Sequence, residues 1–409
     1  MEKPNVYYFN PTCELAVANG SFSYMPPLLL QEMERDLSTL PFVFAGRNDF
    51  VVTEKLPGTG FIQKLKEVGF EAPEFCRLAE LEGLPTDSLD AIVPWGWSPA
   101  LHFNLRNLKE KCSDKFKSSP VFDWEKEQKL LFERSTSLDL LTGILNQHPY
   151  DWFIDPEMTG EKVNSSEEIE ALLGKYSSLV VKAPVSSSGR GIQILRKPGL
   201  NTSNKQWISG VLRQQKYLVA EPLLDKALDL SFQFQVSAHS EIDYLGYSIF
   251  ETSSNGQYRG TLIHPDLKSI LPEENAVVVQ EMIGITAKVI GEALKKSVYS
   301  KIYQGFIGVD ALIFRHQEQL RMQPCIEVNS RMNMGILAMF LEKRISPDTS
   351  GKFELFYGSP GEFENFARIQ AQNNPLRFKD GKLCSGFLPL VEPDRQKKFG
   401  AYILTGEAK

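Results

Sequence analysis

Cysteine is scarce in this chain of 409 residues: Cys13, Cys76, Cys112, Cys325 and Cys384 are odd in number, scattered, and show no Cys-x-x-Cys spacing. That argues against a disulfide framework and against a zinc site, and a reducing compartment fits best. Positive charge is also short. Lys plus Arg number 45 against 51 Asp plus Glu, for a net charge of −6 and a pI near 5.6. No basic surplus is left to hold a nucleic-acid backbone, so any phosphate must be held locally. No apolar run approaches the length of a membrane span, and Met1 to Asn5 contain no basic leader, so a cytoplasmic protein with neither nucleic-acid nor membrane partner is expected. The five histidines (His102, His148, His239, His264, His316) are dispersed, which speaks for structural roles rather than a catalytic dyad. Internal repeats and low-complexity tracts are lacking too.

What is present is ample apolar content, 42%, in a chain long enough for two or three domains. Val6-Tyr-Tyr-Phe9 reads as a strand ending in an Asn10-Pro11 turn, with a helix-like stretch from Thr12. Phe42 to Ala45 reads as a second strand, Leu56 to Val68 as a helix, and Ala91 to Pro94 as a third strand. Strands alternating with helices predict a small parallel sheet with ligands at its carboxyl edge. Two loops follow its strands directly, Asn10-Pro-Thr-Cys-Glu14 and Trp95-Gly-Trp97-Ser98. Asn10 and Trp95 are therefore substrate candidates, although turn chemistry and aromatic packing account for them equally well.

Glu125 to Leu145 reads as one charged helical stretch. Leu179-Val-Val-Lys182 is then a strand delivering a lysine into Ala183-Pro-Val-Ser186-Ser-Ser-Gly189-Arg190-Gly191, before a strand returns. A loop of small residues exposes N–H groups and hydroxyls that can wrap phosphate oxygens, and Lys182 adds a compact cation. No Gly-Lys-Ser/Thr follows, so it is not a P-loop, and alone it is equally a hairpin turn. Tyr217 to Pro222 is a strand carrying Glu221 at a hinge, and Asp229 opens an alternating strand that continues to Val236. A hinge offers backbone groups to an adenine edge and a nearby carboxylate suits ribose hydroxyls, yet both acids could be solvated strand ends. Asn255-Gly256 is a strong turn signal, and Val277 to Lys296 has the spacing of a core-packing helix.

The most informative stretch lies between Gly305 and Gly335. Phe306-Ile-Gly-Val-Asp310-Ala-Leu-Ile-Phe314 is an apolar run broken by one carboxylate, followed by Cys325-Ile-Glu327-Val-Asn329. Alternation puts Glu327 and Asn329 on one face, and a hairpin would bring Asp310 to them. Asp310 alone would read as an edge acid facing water. Three hard oxygen donors on rigid strands suit Mg²⁺ arriving with a phosphate-bearing substrate.

Taken in order, Val-Val-Lys182 with its Ser/Gly loop, Val-Ala-Glu221, Gly-Val-Asp310 and Glu327-Val-Asn329-Ser-Arg331 resemble the ATP-grasp superfamily over roughly residues 125 to 345. The resemblance implies an α/β (α+β) ATP-grasp fold behind an N-terminal Rossmann-like preATP-grasp domain. The expected divisions are 1–124 for that domain, 125–215 for the lid, 216–345 for the core, and 346–409 for a C-terminal extension of one helix and a hairpin. It further implies Lys182 on the α/β-phosphates, Ser187, Ser188, Gly189 and Gly191 over the β/γ-phosphates, Glu221 by adenine and Asp229 at ribose. Asp310, Glu327 and Asn329 would carry two Mg²⁺. Members usually place another lysine at the start of a helix before the lid, for which Lys129 or Lys126 could serve. Many ligases of the superfamily have an arginine where Gly308 stands here, which leaves Arg331 as the natural candidate for transition-state charge. Arg259 and Arg331 suit a substrate carboxylate or acyl phosphate.

The expected activity is that of an ATP- and Mg²⁺-dependent ligase joining a small-molecule carboxylate to an amine (or thiol) through an acyl phosphate. A small-molecule kinase on the same scaffold and a non-catalytic nucleotide-binding protein remain alternatives. The substrates are not written in the sequence, nor is the oligomeric state, for which a homodimer stays open.

Overall fold

The computed structural model describes residues 3–186, 191–253 and 256–407. The chain divides into two compact units. The first comprises residues 1–124, 259–266 and 331–409; the second comprises 125–258 and 267–330.

The first unit opens with four short strands, β1 (Val6–Tyr8), β2 (Phe50–Val52), β3 (Glu74–Cys76) and β4 (Ile92–Pro94), in a parallel sheet of order β3-β2-β1-β4. Val6, Val51 and Ile92 are at most 3% exposed, as expected of parallel strands covered on both faces. The apolar run at Phe42 to Ala45 is not one of these strands. Residues Leu40–Val43 form a single 3-10 turn with Pro41 in its first turn, all four buried, and the strand comes later at β2. Proline's fixed φ and missing N–H suit a helix start, and a short run buried on all sides gives hydrophobicity no period to report.

The second unit begins with a 3-10 segment, Lys126–Phe132, and a helix, Arg134–Gln147. What reads as one helical stretch is broken at Glu133, whose backbone is extended (φ −84°, ψ 129°). A small antiparallel sheet of order β5-β8-β6-β7 follows, from β5 (Glu161–Val163), β6 (Ser178–Lys182), β7 (Ile192–Arg196) and β8 (Leu218–Pro222). Its apolar face (Val163, Leu179, Val181, Leu195, Leu218, Ala220) packs with Ile169, Leu173 and Ile208 of the helices Ser166–Tyr176 and Thr202–Gln215. The larger antiparallel sheet of this unit is built from β9 (Asp225–Val236) and β10 (Ile242–Thr252), and, after β11 (Tyr258–Ile263) returns to the first unit, from β12 (Gly305–His316) and β13 (Gln319–Asn329). Its order is β13-β12-β9-β10. The helix Glu273–Lys296 buries Ala276, Val279, Met282, Ile283, Thr286, Val289, Ile290 and Leu294, while Val278 lies off that stripe and is 49% exposed.

The chain ends in the first unit. β11 pairs with β14 (Thr349–Tyr357), which pairs with the last strand, β17 (Phe399–Glu407); β15 (Arg377–Lys379) and β16 (Lys382–Pro389) extend the sheet on its far side. Phe353, Phe363 of the helix Glu362–Asn373, and Phe387 are at most 1% exposed and form its core.

Candidate functional site

Alternation decides the chemistry of the larger sheet of the second unit. One face carries Leu230, Phe232 and Phe234 of β9, Ile307, Val309 and Ala311 of β12, and Val328 of β13, all at most 4% exposed. Phe232 lies opposite Val309 and Val309 opposite Val328, so the apolar face runs unbroken across three strands. Burying each such large side chain is worth about 1.5–3 kcal/mol, which pins the register. Whatever shares the other parity must face the other way. There stand Asp229, Ser231 and Gln233 on β9, Asp310 on β12, and Glu327 and Asn329 on β13.

Asp310 sits directly opposite Ser231 on one side and Glu327 on the other. The Asn329 amide donates to Asp310 Oδ2 at 3.0 Å. The Ser231 hydroxyl is buried and has no hydrogen-bond partner among the described residues. The edge of β13 is held by the helix Arg134–Gln147, where the Ser137 hydroxyl accepts the Val328 N–H at 3.0 Å and satisfies an edge donor.

Two buried cations lie nearby, and one of them is bonded to this polar face. Arg134, 4% exposed at the first position of that helix, places Nη2 2.9 Å from Glu327 Oε1 and 3.0 Å from Oε2. Its Nη1 donates to the Ala183 carbonyl and to Ser186 Oγ, and its backbone N–H donates to the Pro184 carbonyl. One guanidinium thus joins the loop after β6 to the carboxylate on β13. Lys182, 5% exposed at the end of β6, makes an ion pair with Glu221 of β8, on the face of the smaller sheet opposite its apolar core. The buried Cys325 thiol reports the local field. Burial pushes its pKa up, Asp310 and then Glu327 push it further, and Lys182 opposes them.

No protein-family model and no curated protein matches the sequence. Solved structures do match in fold. An ADP complex of N5-carboxyaminoimidazole ribonucleotide synthetase aligns over 99% of this chain and 93% of its own, at 11% identity and a TM-score of 0.51. A biotin carboxylase–β-γ-ATP complex from Campylobacter jejuni aligns over 100% and 88%, at 11% identity and a TM-score of 0.51. Pyruvate carboxylase from Rhizobium etli aligns over 100% of this chain but only 36% of its own length, at 13% identity and a TM-score of 0.52.

The fold is that of the ATP-grasp enzymes. Within this ATP-grasp fold, Asp310, Glu327, Asn329, Lys182 and Glu221 all belong to the second unit, and the contacts above gather them with Arg134. Gly191 closes the loop after Lys182: a Cβ there would lie 2.3 Å from Ser186 Cβ and 3.2 Å from Ala183 Cβ. Ser187, Ser188 and Gly189 lie outside the described residues, as does Asn255 of the Asn-Gly turn. Asp229 shares the polar face but is engaged locally, its Oδ2 accepting from Lys226 and, at 2.8 Å, from Thr252 Oγ1. Lys129 is half-buried within the 3-10 segment, as Lys126 is exposed at its start, and neither opens the helix before the smaller sheet. Arg134 does. Sequence reasoning missed it because it sought a lysine and read across the break at Glu133; the surviving signal was a lone basic residue followed by Ser135-Thr136-Ser137 and then a Leu-rich helical run. Among the described residues, no group of three or more His, Cys, Asp and Glu side chains is placed to hold a metal; the polar face offers two carboxylates and an amide instead.

Asn10, Trp95, Arg259 and Arg331 belong to the first unit. The Asn10 amide bridges the ends of β1 and β4, donating to the Gly96 carbonyl at 2.7 Å and accepting the Gly96 N–H at 3.3 Å. Trp95 is 1% exposed and packs edge-on against Phe9 at 4.9 Å, so its indole fills the core instead of presenting a surface. Arg331 donates from Nε to Glu14 Oε1 at 2.9 Å and from Nη1 to the Met332 carbonyl at 3.1 Å. Arg259 is exposed on β11.

Proposed function

We propose that this protein is an ATP- and Mg²⁺-dependent ligase that activates a small-molecule carboxylate as an acyl phosphate and passes it to an amine. The observation that carries the reading is the convergence of Asp310, Glu327 and Asn329 on one face of a hairpin, with Arg134 bonded to Glu327 and to the loop that follows Lys182, in an ATP-grasp fold.

The donor set fits the metal that such chemistry needs. Two carboxylates and an amide are hard oxygen donors, and the orphaned Ser231 hydroxyl opposite Asp310 marks a polar surface with unmet bonding capacity. Asp310, Glu327 and Asn329 would hold Mg²⁺, which would supply charge neutralisation to the triphosphate. The chain's own residues do the rest. Lys182, freed from Glu221, supplies a point charge to the α/β-phosphates, and Glu221 then accepts from the adenine amino group. Arg134 exchanges a carboxylate for a phosphate oxygen, two acceptors its fork fits equally. The loop of Ser187, Ser188, Gly189 and Gly191 is assigned to the β/γ-phosphates and Asp229 to ribose. Arg331 and Arg259 are assigned to the substrate carboxylate.

The reaction needs positioning and charge more than an acid–base pair. The carboxylate oxygen attacks the γ-phosphorus, ADP leaves, and the amine nitrogen attacks the acyl carbon, releasing inorganic phosphate. The test is stoichiometric. Incubation with carboxylate and amine libraries should release ADP and phosphate in equal amounts, only when both partners are present. ADP without free phosphate, with a phosphorylated product, would identify a kinase and overturn the ligase.

A further inference from the structure

The carboxyl edge of the parallel sheet holds an acidic cluster whose carboxylates have no part in the roles above. Glu14, just beyond the Asn10-Pro11 turn after β1, is 5% exposed. Its Oε1 accepts Arg331 Nε at 2.9 Å, while its Oε2 is buried with no hydrogen-bond partner among the described residues. A buried carboxylate oxygen without a donor is costly, and its position calls for one from outside the chain. Glu34 reaches the same edge, its Oε1 accepting from Thr12 N–H at 3.3 Å and Thr12 Oγ1 at 2.5 Å.

The carboxylates of Glu14, paired with Arg331, and of Glu34, whose own pKa is pushed up by burial, make the local field negative. Two neighbours register it. The Cys13 thiol is pushed up by burial first and then by Glu14, with Arg331 opposing and Glu34 adding a smaller push. The Tyr8 hydroxyl is pushed up to about 12, again by burial first and then by Glu34 and Glu54. The geometry is also fixed in advance. A Cβ at Gly96 would stand 2.4 Å from Cys13 Sγ and 3.1 Å from Arg331 Cβ, so the β4 loop is packed against both residues that flank Glu14. The open Glu14 Oε2 itself repels an anionic group, and a neutral alcohol would bring it no counter-charge. A primary ammonium brings three compact donors and one positive charge.

We infer that Glu14 Oε2, with Glu34 held at Thr12 two residues away, seats the amino group of the amine substrate as its ammonium, and that Glu14 takes the proton the nitrogen must lose before it attacks the acyl carbon. The inference rests on the carboxylate–amine ligase reading and names the class of its acceptor: a small cationic primary amine, such as an amino acid entering through its α-ammonium group. It also gives Arg331 a second duty as the positioning residue that holds Glu14 through Oε1 and leaves Oε2 for the ligand.

The test is direct binding to the full chain by calorimetry at neutral pH, without nucleotide, using the twenty common L-amino acids, putrescine and ethanolamine. At least one should bind the wild type, and its N-acetylated counterpart, which has lost the charge, should not. Glu14→Gln should weaken that amine roughly tenfold to 100-fold, the range of a charge-assisted hydrogen bond. Glu34→Gln should weaken it too, and carries the test if Glu14→Gln fails to fold. Absence of binding by every amine, equal binding of the acetylated compound, or unchanged affinity in a folded variant would each overturn the inference. The underlying reading fails separately. Amine binding without any release of ADP and phosphate would sink the ligase and spare the site, whereas ligation with unchanged amine KM in both variants would sink the site and spare the ligase.

Discussion

Arg134 and Glu327, 193 residues apart, form a closed pair in which one guanidinium nitrogen lies 2.9 Å from one carboxylate oxygen and 3.0 Å from the other. The arginine is 4% exposed and the glutamate 23%, so both have surrendered hydration to meet. Such a pair adds little net stability as built, but breaking it leaves a charge stranded. The same contact holds the Glu327 carboxylate in place on β13.

Arg134→Met should therefore be destabilised by about 1–3 kcal/mol, below the cost of a fully buried pair because Glu327 keeps some contact with water. In the proposed reaction it should lose roughly 100-fold in kcat/KM for ATP, while Arg134→Lys keeps the charge and should lose under about tenfold. Urea denaturation and steady-state ADP release measure the two effects. An Arg134→Met enzyme with unaltered KM and kcat would remove this residue from the nucleotide's surroundings.

Much of the second unit was readable from sequence for one physical reason. Alternation along a strand put Glu327 and Asn329 on one face, and Asp310 joined them on the condition that the two segments pair, as they do. Arg134 was not. No Pro or Gly stands between Glu125 and Thr142 to mark the break at Glu133, and the charge pattern from Glu125 onward suits a continuous helix. Trp95 illustrates a different limit, since a loop tryptophan packed against Phe9 and one facing a ligand are written with the same letter. The Arg331–Glu14 contact joins positions 317 residues apart, and the pairing of β11 with β14 joins Gly260 to Glu354. Nothing local specifies partners at such separations.

Glu327→Gln keeps the shape and one acceptor for Arg134 but removes the charge. Expected outcomes are a Tm within a few degrees of the wild type and turnover reduced on the order of 100-fold or more, the scale for losing a preorganised charge-stabilising group. Circular dichroism with melting establishes the first, and phosphate release across a Mg²⁺ titration establishes the second. Full Mg²⁺-dependent turnover in the variant would show that the metal is held elsewhere.

Gly96→Ala tests the packing at the β4 loop. Its Cβ would meet Cys13 Sγ at 2.4 Å, Arg331 Cβ at 3.1 Å and Cys13 Cβ at 3.2 Å, none of them the free end of a long chain. A loss of about 1–3 kcal/mol is expected. Cys13→Ala removes the worst contact and should recover part of that loss, so the double variant should be more stable than the sum of the single changes, a coupling readable by chemical denaturation. Strict additivity would mean that the loop simply moves away.

His102 sets an acid limit on the first unit. It stacks on Trp97 at 4.4 Å, and its pKa is pushed down from 6.5 to about 3 by burial first and by the nearby Lys109 cation second. The folded ring therefore takes a proton only near pH 3, whereas the unfolded one takes it near 6.5. Between those values the unfolded chain binds more protons, so this residue's contribution is complete above pH 6.5 and is lost as the pH falls toward 3, by at most about 1.4 kcal/mol per pH unit. His102→Phe keeps an aromatic ring beside Trp97 and cannot titrate. Its stability relative to the wild type should be constant above pH 7 and should rise steadily as the solution is acidified below 6.5, as followed by urea midpoints. Parallel curves for the two proteins down to pH 4 would mean that the folded state already accepts the proton.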